Sequence, residues 1–205
     1  MTSVEPVRAD VPQPVDDDDD ARAQWLWNRR SDMLYHVRLS AIYHLRRENY
    51  FDMADRWSSM LTALAATAAV GALLKGAQGI DLAVSIVTAF LSLLPLVFNP
   101  AEKARRHGQL AAEYRRLRAD AERAGHYWTE EQCDHFASRA LDIEVAEAPP
   151  LGALVIKCQN ELAIALGRPS DTYPLRFYES WFAQLWNFDA GAICARRDGP
   201  RRQLA

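Results

Sequence analysis

Histidine, cysteine and acidic side chains are the residues of this chain that could bind a metal ion or transfer a proton. The sequence has five histidines and three cysteines, and no two cysteines form a CxxC pair. His36 and His44 are about two helical turns apart, but no carboxylate adjoins them, so we interpret them as surface residues. Cys133 with His135 is too weak a pair to predict a metal site.

No motif for catalysis or phosphate binding accompanies these residues. The sequence lacks a GxGxxG or Walker-type loop, a GxSxG elbow and an HExxH pair. Glu130 and Glu131 are better explained by helix capping than by acid–base work, and the run Asp16–Asp20 is expected to be solvated. With a net charge of −3 and no large basic stripe, the chain is not expected to bind nucleic acid. We expect no enzyme, cofactor or metal site, and the odd cysteine count fits a reducing compartment.

Two apolar stretches dominate the middle of the chain. Trp57–Leu74 and Leu82–Phe98 contain no ionisable side chain, and a glycine-punctuated loop, Lys75–Asp81, separates them. A hydrocarbon core about 30 Å thick needs about 20 helical residues at 1.5 Å per residue. The stretches are just long enough to span, and they predict a transmembrane hairpin over residues 57–98.

The charges around the hairpin predict its orientation. Arginines precede the first span and Lys103, Arg105 and Arg106 follow the second, whereas Lys75 in the loop is balanced by Asp81. The positive-inside rule then predicts that both termini are cytoplasmic and that the loop lies outside. The alternative is a soluble bundle with both stretches in its core, which is disfavoured because neither stretch has a polar face.

Small and hydroxyl side chains follow one face of each predicted span. A stripe on the first span and a stripe on the second predict either close packing within the hairpin or the lining of an oligomeric pore; the residues are Ser58, Thr62, Ala65, Ala69, Ser85, Thr88 and Ser92. Pro95 would weaken the backbone ladder near the cytoplasmic end and is a candidate gating bend. One hairpin encloses no conduit, so a pore requires several copies.

The remaining chain predicts an all-α fold, with long cytoplasmic helices forming a bundle beneath the hairpin. The predicted regions are a disordered acidic tail at 1–20, a pre-membrane helix at 21–56 that continues without a breaker into the hairpin at 57–98, a cytoplasmic helical region at 99–190 and a basic tail at 191–205. Within 99–190, proline, glycine and capping signals predict helices over Ala101–Gly125, Glu130–Glu144, Leu151–Leu166 and Leu175–Phe188.

The last of these helices is rich in aromatic residues and allows two interpretations. Trp181, Leu185 and Phe188 would be core or subunit-contact residues in the favoured one. In the other, the helix lies in the lipid headgroup region beside the hairpin, where tryptophan is common and the arginine-rich tail meets anionic lipid.

The order of these parts resembles the SLATT family, the SMODS and SLOG-associating two-transmembrane effector domains of bacteria. The resemblance covers about Leu34 to Phe188 and rests on a long pre-membrane helix, a short-looped hairpin and a charged helix directly after it. That helix contains His107–Leu110 and Tyr114–Leu117, and a later segment contains Cys158–Glu161 and Leu166-Gly167. Membership implies a non-enzymatic antiphage effector that forms pores on activation, encoded beside a nucleotide-signalling or sensor protein.

Together with the predicted hairpin, the resemblance implies a homo-oligomeric effector of abortive-infection type that spans the bacterial inner membrane twice and permeabilises it on activation, with membrane lipid as its first partner. The rival hypothesis is a passive membrane-anchored scaffold or adaptor whose cytoplasmic helices only bind another protein. Dye leakage or depolarisation on expression separates the two, because a scaffold gives neither.

Overall fold

The computed structural model describes residues 17–75, 86–87, 90 and 97–198, with the side chains of 18–67 in the first range. These residues form helices α1 (Asp17–Lys75), α2 (Pro100–Arg123), α3 (Glu130–Glu144), α4 (Gly152–Ala165), α5 (Phe177–Trp181) and α6 (Ala190–Asp198), with a 3-10 turn at Pro169–Asp171. No β-strand occurs in these ranges, so the predicted all-α class is confirmed for them.

Helix α1 is the long axis of the fold. It has 59 residues, which gives a rod of about 88 Å at 1.5 Å per residue. Its sequence contains no proline and a single glycine, Gly71, so little interrupts the backbone hydrogen bonds. Asp17–Asp20 belong to this helix rather than to the predicted tail, whose residues 1–16 lie outside the described ranges.

Local signals account for where the next two helices begin. Asn99 adopts a left-handed conformation with φ 42°, and Pro100 then occupies the first turn of α2, where its missing N–H costs no hydrogen bond. Thr129 and Gln132 form a capping box at the start of α3: the Thr129 hydroxyl accepts from the Gln132 amide, and the Gln132 side chain accepts from the Thr129 amide.

The bundle forms around the first two thirds of α1. Helix α2 runs antiparallel to α1, and the buried side chains of α1, α2 and α3 form one core: Val37, Tyr114, Leu117, Ala121, Trp128, Cys133, Phe136 and Ala140. A second core joins another face of α1 to α4, to the 177–198 segment and to α6: Leu39, Tyr43, Ala153, Leu154, Ile156, Cys158, Leu162, Ala183 and Ile193.

The C-terminal part differs from the sequence prediction. The predicted helix Leu175–Phe188 is only five residues long as α5, because the chain turns after Trp181 and buries Ala183 against the second core. The predicted basic tail contains helix α6, whose Ile193 is buried in the same core. The Asp189 carboxylate accepts a hydrogen bond from the Gly191 amide at 2.8 Å and stabilises the first turn of α6.

Among the residues that the structure describes, no helix has an apolar stretch long enough to cross a membrane. The first predicted span, Trp57–Leu74, is the C-terminal part of α1, and its side chains are described as far as residue 67. Of the second predicted span, Leu82–Phe98, only residues 86, 87, 90, 97 and 98 are described.

Candidate functional site: a histidine clamp at the base of an apolar arm

A buried chain of hydrogen bonds joins three segments where α1 leaves the bundle. His44 of α1 is 2% exposed. Its Nδ1 lies 2.9 Å from Nδ1 of His107 on α2, and its Nε2 lies 2.9 Å from Oε1 of Glu147, in the loop after α3. We call these three residues the histidine clamp.

Aromatic rings pack on both sides of the clamp. The ring of Tyr114 stacks on His44 with 5.9 Å between centroids, and the ring of Phe51 stacks on His107 at 5.6 Å. The Tyr114 hydroxyl is buried beside the Glu147 carboxylate and the Ser40 hydroxyl. Burial, together with the neighbouring Glu147 carboxylate, raises the pKa of Tyr114, so this hydroxyl keeps its proton.

The hydrogen bonds determine where the protons lie. A carboxylate only accepts, so His44 Nε2 carries a proton and donates it to Glu147. If His44 is neutral, its Nδ1 accepts from the Nδ1–H of His107; if His44 is charged, it donates to an unprotonated His107 Nδ1. A second charge on the pair would put two protons between the nitrogens and break this bond.

The lowered pKa of His107 agrees with this limit of one positive charge on the two imidazoles. Burial, reinforced by His44 and then by Arg47 and Arg106, lowers the pKa of His107 to about 4. Burial alone would raise the pKa of Glu147, but the hydrogen bonds from His44 and Tyr114, together with the nearby imidazoles of His44 and His36, outweigh burial and lower it. At neutral pH the clamp is therefore an ionised carboxylate beside an uncharged His107.

Two further contacts hold the loop that carries Glu147. The Leu151 amide donates to the Tyr43 hydroxyl at 3.1 Å, and the Arg106 guanidinium donates to the Ala146 carbonyl at 2.5 Å. These bonds fix the loop on either side of Glu147, one to α1 and one to α2. The arrangement can bind or release a proton, but among the described residues no three His, Cys, Asp or Glu side chains are placed to hold a metal ion.

Beyond the clamp, α1 carries a series of exposed apolar side chains. We call residues 53–75 of α1 the apolar arm. Met53, Trp57, Met60, Leu61 and Leu64 are all exposed, with Leu64 at 58%. The described residues of the second predicted span are exposed too: Ile86, Val87, Phe90, Val97 and Phe98.

The predicted small-residue stripe is described only in part. Ser58, Thr62 and Ala65 are half-buried, in contrast to the exposed apolar residues between them. The Ser58 hydroxyl donates to the Asp55 carbonyl at 2.8 Å and the Thr62 hydroxyl to the Ser58 carbonyl at 2.9 Å, so both bond to their own helix. The side chain of Ala69, and all of Ser85, Thr88, Ser92 and Pro95, lie outside the described residues. Pore lining and gating by these residues stay predictions.

The aromatic C-terminal segment is not a core helix. Trp181 and Leu185 are exposed, at 71% and 63%, so they are not core residues of the single chain, and their contact with another subunit stays a prediction. Phe188 does pack against the second core. The turn after Trp181 explains the difference, because it directs the small side chain of Ala183 inward and the large ones outward.

The interpretation of His44 as a surface residue was also wrong. Its carboxylate partner, Glu147, lies 103 residues away in the sequence, and His107 lies 63 residues away. The sequence did contain a signal for burial of His44, which is one residue after Tyr43 and seven after Val37, both on the buried side of α1. His36, by contrast, is half exposed and lies 3.5 Å from Glu144.

Comparison with known proteins identifies no relative of this chain. No protein-family model matches the chain, and neither a curated protein nor a solved structure is significantly similar to it.

Proposed function

We propose that this chain is a bacterial membrane effector of an antiphage defence system, in which several copies associate and permeabilise the inner membrane on activation. In this proposal residues 57–98 form the two-span hairpin, and the bundle lies on the cytoplasmic side with both termini. The chain acts without catalysis. A nucleotide-signalling or sensor protein encoded nearby would supply the trigger.

The observation that carries the proposal is the change of environment along α1. Val37 and His44 are buried between neighbouring helices, whereas apolar side chains are exposed from Met53 onward. Large apolar patches on a protein surface mark contact with lipid or with another protein. The resemblance to the SLATT family supports the membrane over a soluble partner, because a hairpin after a long helix is the part on which that resemblance depends.

The continuity of α1 supports a coupling between the two regions. No proline or loop separates the histidine clamp at His44 from Trp57. A change in packing that moves α1 at His44 would therefore also move the arm, because no hinge lies between them. The half-buried stripe Ser58, Thr62 and Ala65 offers small side chains on which a neighbouring helix can approach closely.

The test is to express the full chain in a bacterial host and measure membrane retention and membrane potential. We expect the protein to resist carbonate extraction, and an activated chain to depolarise the cells and admit a membrane-impermeant dye. The double variant Leu61→Arg/Leu64→Arg should lose both properties, because each arginine costs about 2.5–3.5 kcal/mol at the centre of a bilayer.

A matched control adds the same two charges elsewhere on α1. Gln24→Arg/Asn28→Arg changes two exposed bundle positions, and it should retain both properties. Extraction of the wild-type chain by carbonate would overturn the membrane hairpin. Firm retention without depolarisation under any inducing condition would overturn the pore and favour the passive scaffold.

The lining role has its own test. A Ser85→Leu/Thr88→Leu/Ser92→Leu variant should lose current in reconstituted bilayers if those hydroxyls line a pore. Normal current through this variant would assign the stripe to helix packing instead.

A further inference from the structure

Five large apolar side chains project outward from the segment between residues 177 and 186. We call them the aromatic platform: Phe177, Trp181, Phe182, Leu185 and Trp186, each at least half exposed. The same segment buries its smaller and charged side chains, with Ala183 at 1% and Glu179 at 6% exposure. The segment is therefore oriented with its apolar side away from the fold, the reverse of the usual arrangement in water.

Specific contacts fix this orientation. The Arg47 guanidinium donates to the Gln184 carbonyl at 2.7 Å, and Lys157 donates to the Ser180 carbonyl at 3.3 Å. Both oxygens of Glu179 accept from Arg196 at 2.8 Å. The backbone beneath the platform is thus tied to α1, α4 and α6.

A close backbone approach ties the end of the segment to α4. The Asn187 side chain accepts a hydrogen bond from the Gly152 amide at 3.0 Å. A Cβ at Gly152 would lie 2.5 Å from the Phe188 carbonyl oxygen, so only glycine allows the chain to cross the start of α4 here. The outward side chains are the result of a firmly packed turn.

The platform lies next to the base of the arm. Leu185 lines a cavity of about 340 Å³ that also contacts Ser58 of the arm and Phe98, the last residue of the second predicted span. Lys103 contacts the same cavity. At Leu185 the exposed apolar surface of the platform therefore meets that of Phe98.

We propose that the aromatic platform lies in the headgroup–acyl boundary of the membrane leaflet from which the arm enters, so that its partner is a lipid surface. The inference depends on the proposed membrane hairpin, since the hairpin determines where that boundary lies. Tryptophan is favoured at this depth, because its ring is apolar and its N–H can bond to headgroups or water. Lys103 at the adjoining cavity, and Arg176 beside Phe177, supply positive charge towards anionic headgroups.

Fluorescence quenching by brominated lipids tests the depth of the platform. The full chain with Trp57→Phe, which removes the tryptophan of the arm, is reconstituted in vesicles of phosphatidylcholine and phosphatidylglycerol. The lipids carry bromine either near the headgroup or near the chain ends. We expect strong quenching by the shallow bromines and weak quenching by the deep ones.

Two matched variants identify the tryptophans that are quenched. Adding Trp181→Phe and Trp186→Phe should remove nearly all shallow quenching. Adding Trp25→Phe and Trp27→Phe should leave it unchanged, because these exposed residues lie about 30 Å or more along α1 from Arg47, which contacts the platform segment.

The results separate this inference from the proposed function. Carbonate-resistant protein without shallow quenching of Trp181 and Trp186 would overturn the platform while the hairpin stands. Quenching that persists in carbonate-extractable protein would support a lipid-binding platform and overturn the hairpin. Shielding of Trp181 and Trp186 that depends on protein concentration and not on lipid would assign the surface to a second copy of the chain and overturn the inference.

Discussion

The two halves of α1 have similar backbones and different surroundings. Between Val37 and His44 the helix packs against α2, α3 and α4, and the polar side chain of His44 is both hydrogen-bonded and stacked there. From Met53 onward the same helix presents methionine, tryptophan and leucine outward. The helix thus continues through both parts, and whether its side chains are buried depends on which other helices pack against it.

The difference also separates the roles of the two regions. The bundle carries the buried groups that can titrate or form hydrogen bonds between helices, whereas the large exposed side chains of the arm are apolar and its Ser58 and Thr62 hydroxyls bond to their own helix. In the proposed function the first region would receive a signal and the second would meet lipid. The following variants compare the regions directly, in order of decreasing effect.

The largest expected effect is loss of a buried leucine in the bundle. Leu117→Ala removes a side chain that is fully buried in the first core, and the cavity should lower the free energy of unfolding by about 2–5 kcal/mol. Leu64→Ala, the same change at an exposed position of the arm, should stay within about 0.5 kcal/mol. Thermal unfolding of the purified chain in mild detergent measures both. Equal losses would mean that the arm is packed in a core.

Next comes the histidine clamp. His44→Leu leaves Glu147 and His107 without their shared partner, and it should destabilise the bundle by about 2–3 kcal/mol because a partly buried carboxylate loses its hydrogen bond. His36→Leu, eight residues earlier on the same helix and half exposed, is the control and should cost less than about 0.5 kcal/mol. If both variants unfold at the wild-type temperature, the clamp contributes nothing to stability.

Acid should weaken the same site. The pKa of His107 is lowered from 6.5 to about 4 in the folded chain, so the unfolded chain binds the proton more tightly between these values. The contribution of the clamp to the free energy of unfolding is complete above pH 6.5. As the pH falls towards 4, this free energy decreases by roughly 2 kcal/mol after allowing for partial exposure. Glu147, whose folded pKa is also lowered, adds a loss in the same direction at still lower pH.

The measurement is the unfolding temperature of wild type and His107→Asn between pH 7 and pH 4. The variant should be less stable at pH 7 and should show a smaller decline over this window. An identical pH dependence in the two proteins would exclude His107 as the group that titrates.

The smallest effect concerns a helix start in the bundle. Thr129→Ala removes the hydroxyl that accepts from the Gln132 amide and should cost about 1 kcal/mol. Ser138→Ala, whose hydroxyl bonds back to the His135 carbonyl in the exposed middle of α3, should cost little or be slightly stabilising. Comparable losses would mean that the capping box contributes no special stability.

The parts of the fold that could be predicted from the sequence depend on neighbours in sequence. Pro100 and the pair Thr129 and Gln132 place two helix starts correctly, because capping acts within one helical turn. The unbroken helix before Trp57 followed from the absence of proline and glycine.

The parts that could not be predicted depend on distant partners. His44 looks like an isolated surface residue until Glu147 folds against it. Helical spacing suggested one helix over 175–188, but burying Ala183 and bonding Gln184 to Arg46 and Arg47 requires a turn instead. Tertiary contacts of this kind override the local preference.

The unbroken course of α1 has one more consequence, which concerns angle. Successive residues of a helix differ by about 100° around its axis, so the direction that Leu64 faces is determined by the direction that His44 faces. Because no break separates His44 from Leu64, a rotation of α1 within the bundle would turn the side chains of the arm by the same angle. One residue inserted between Arg47 and Met53 would rotate every side chain of the arm by about 100°, whereas four would leave them about 40° from their original direction. The unbroken helix therefore couples the orientation of the bundle around His44 to the direction in which the side chains of the arm face.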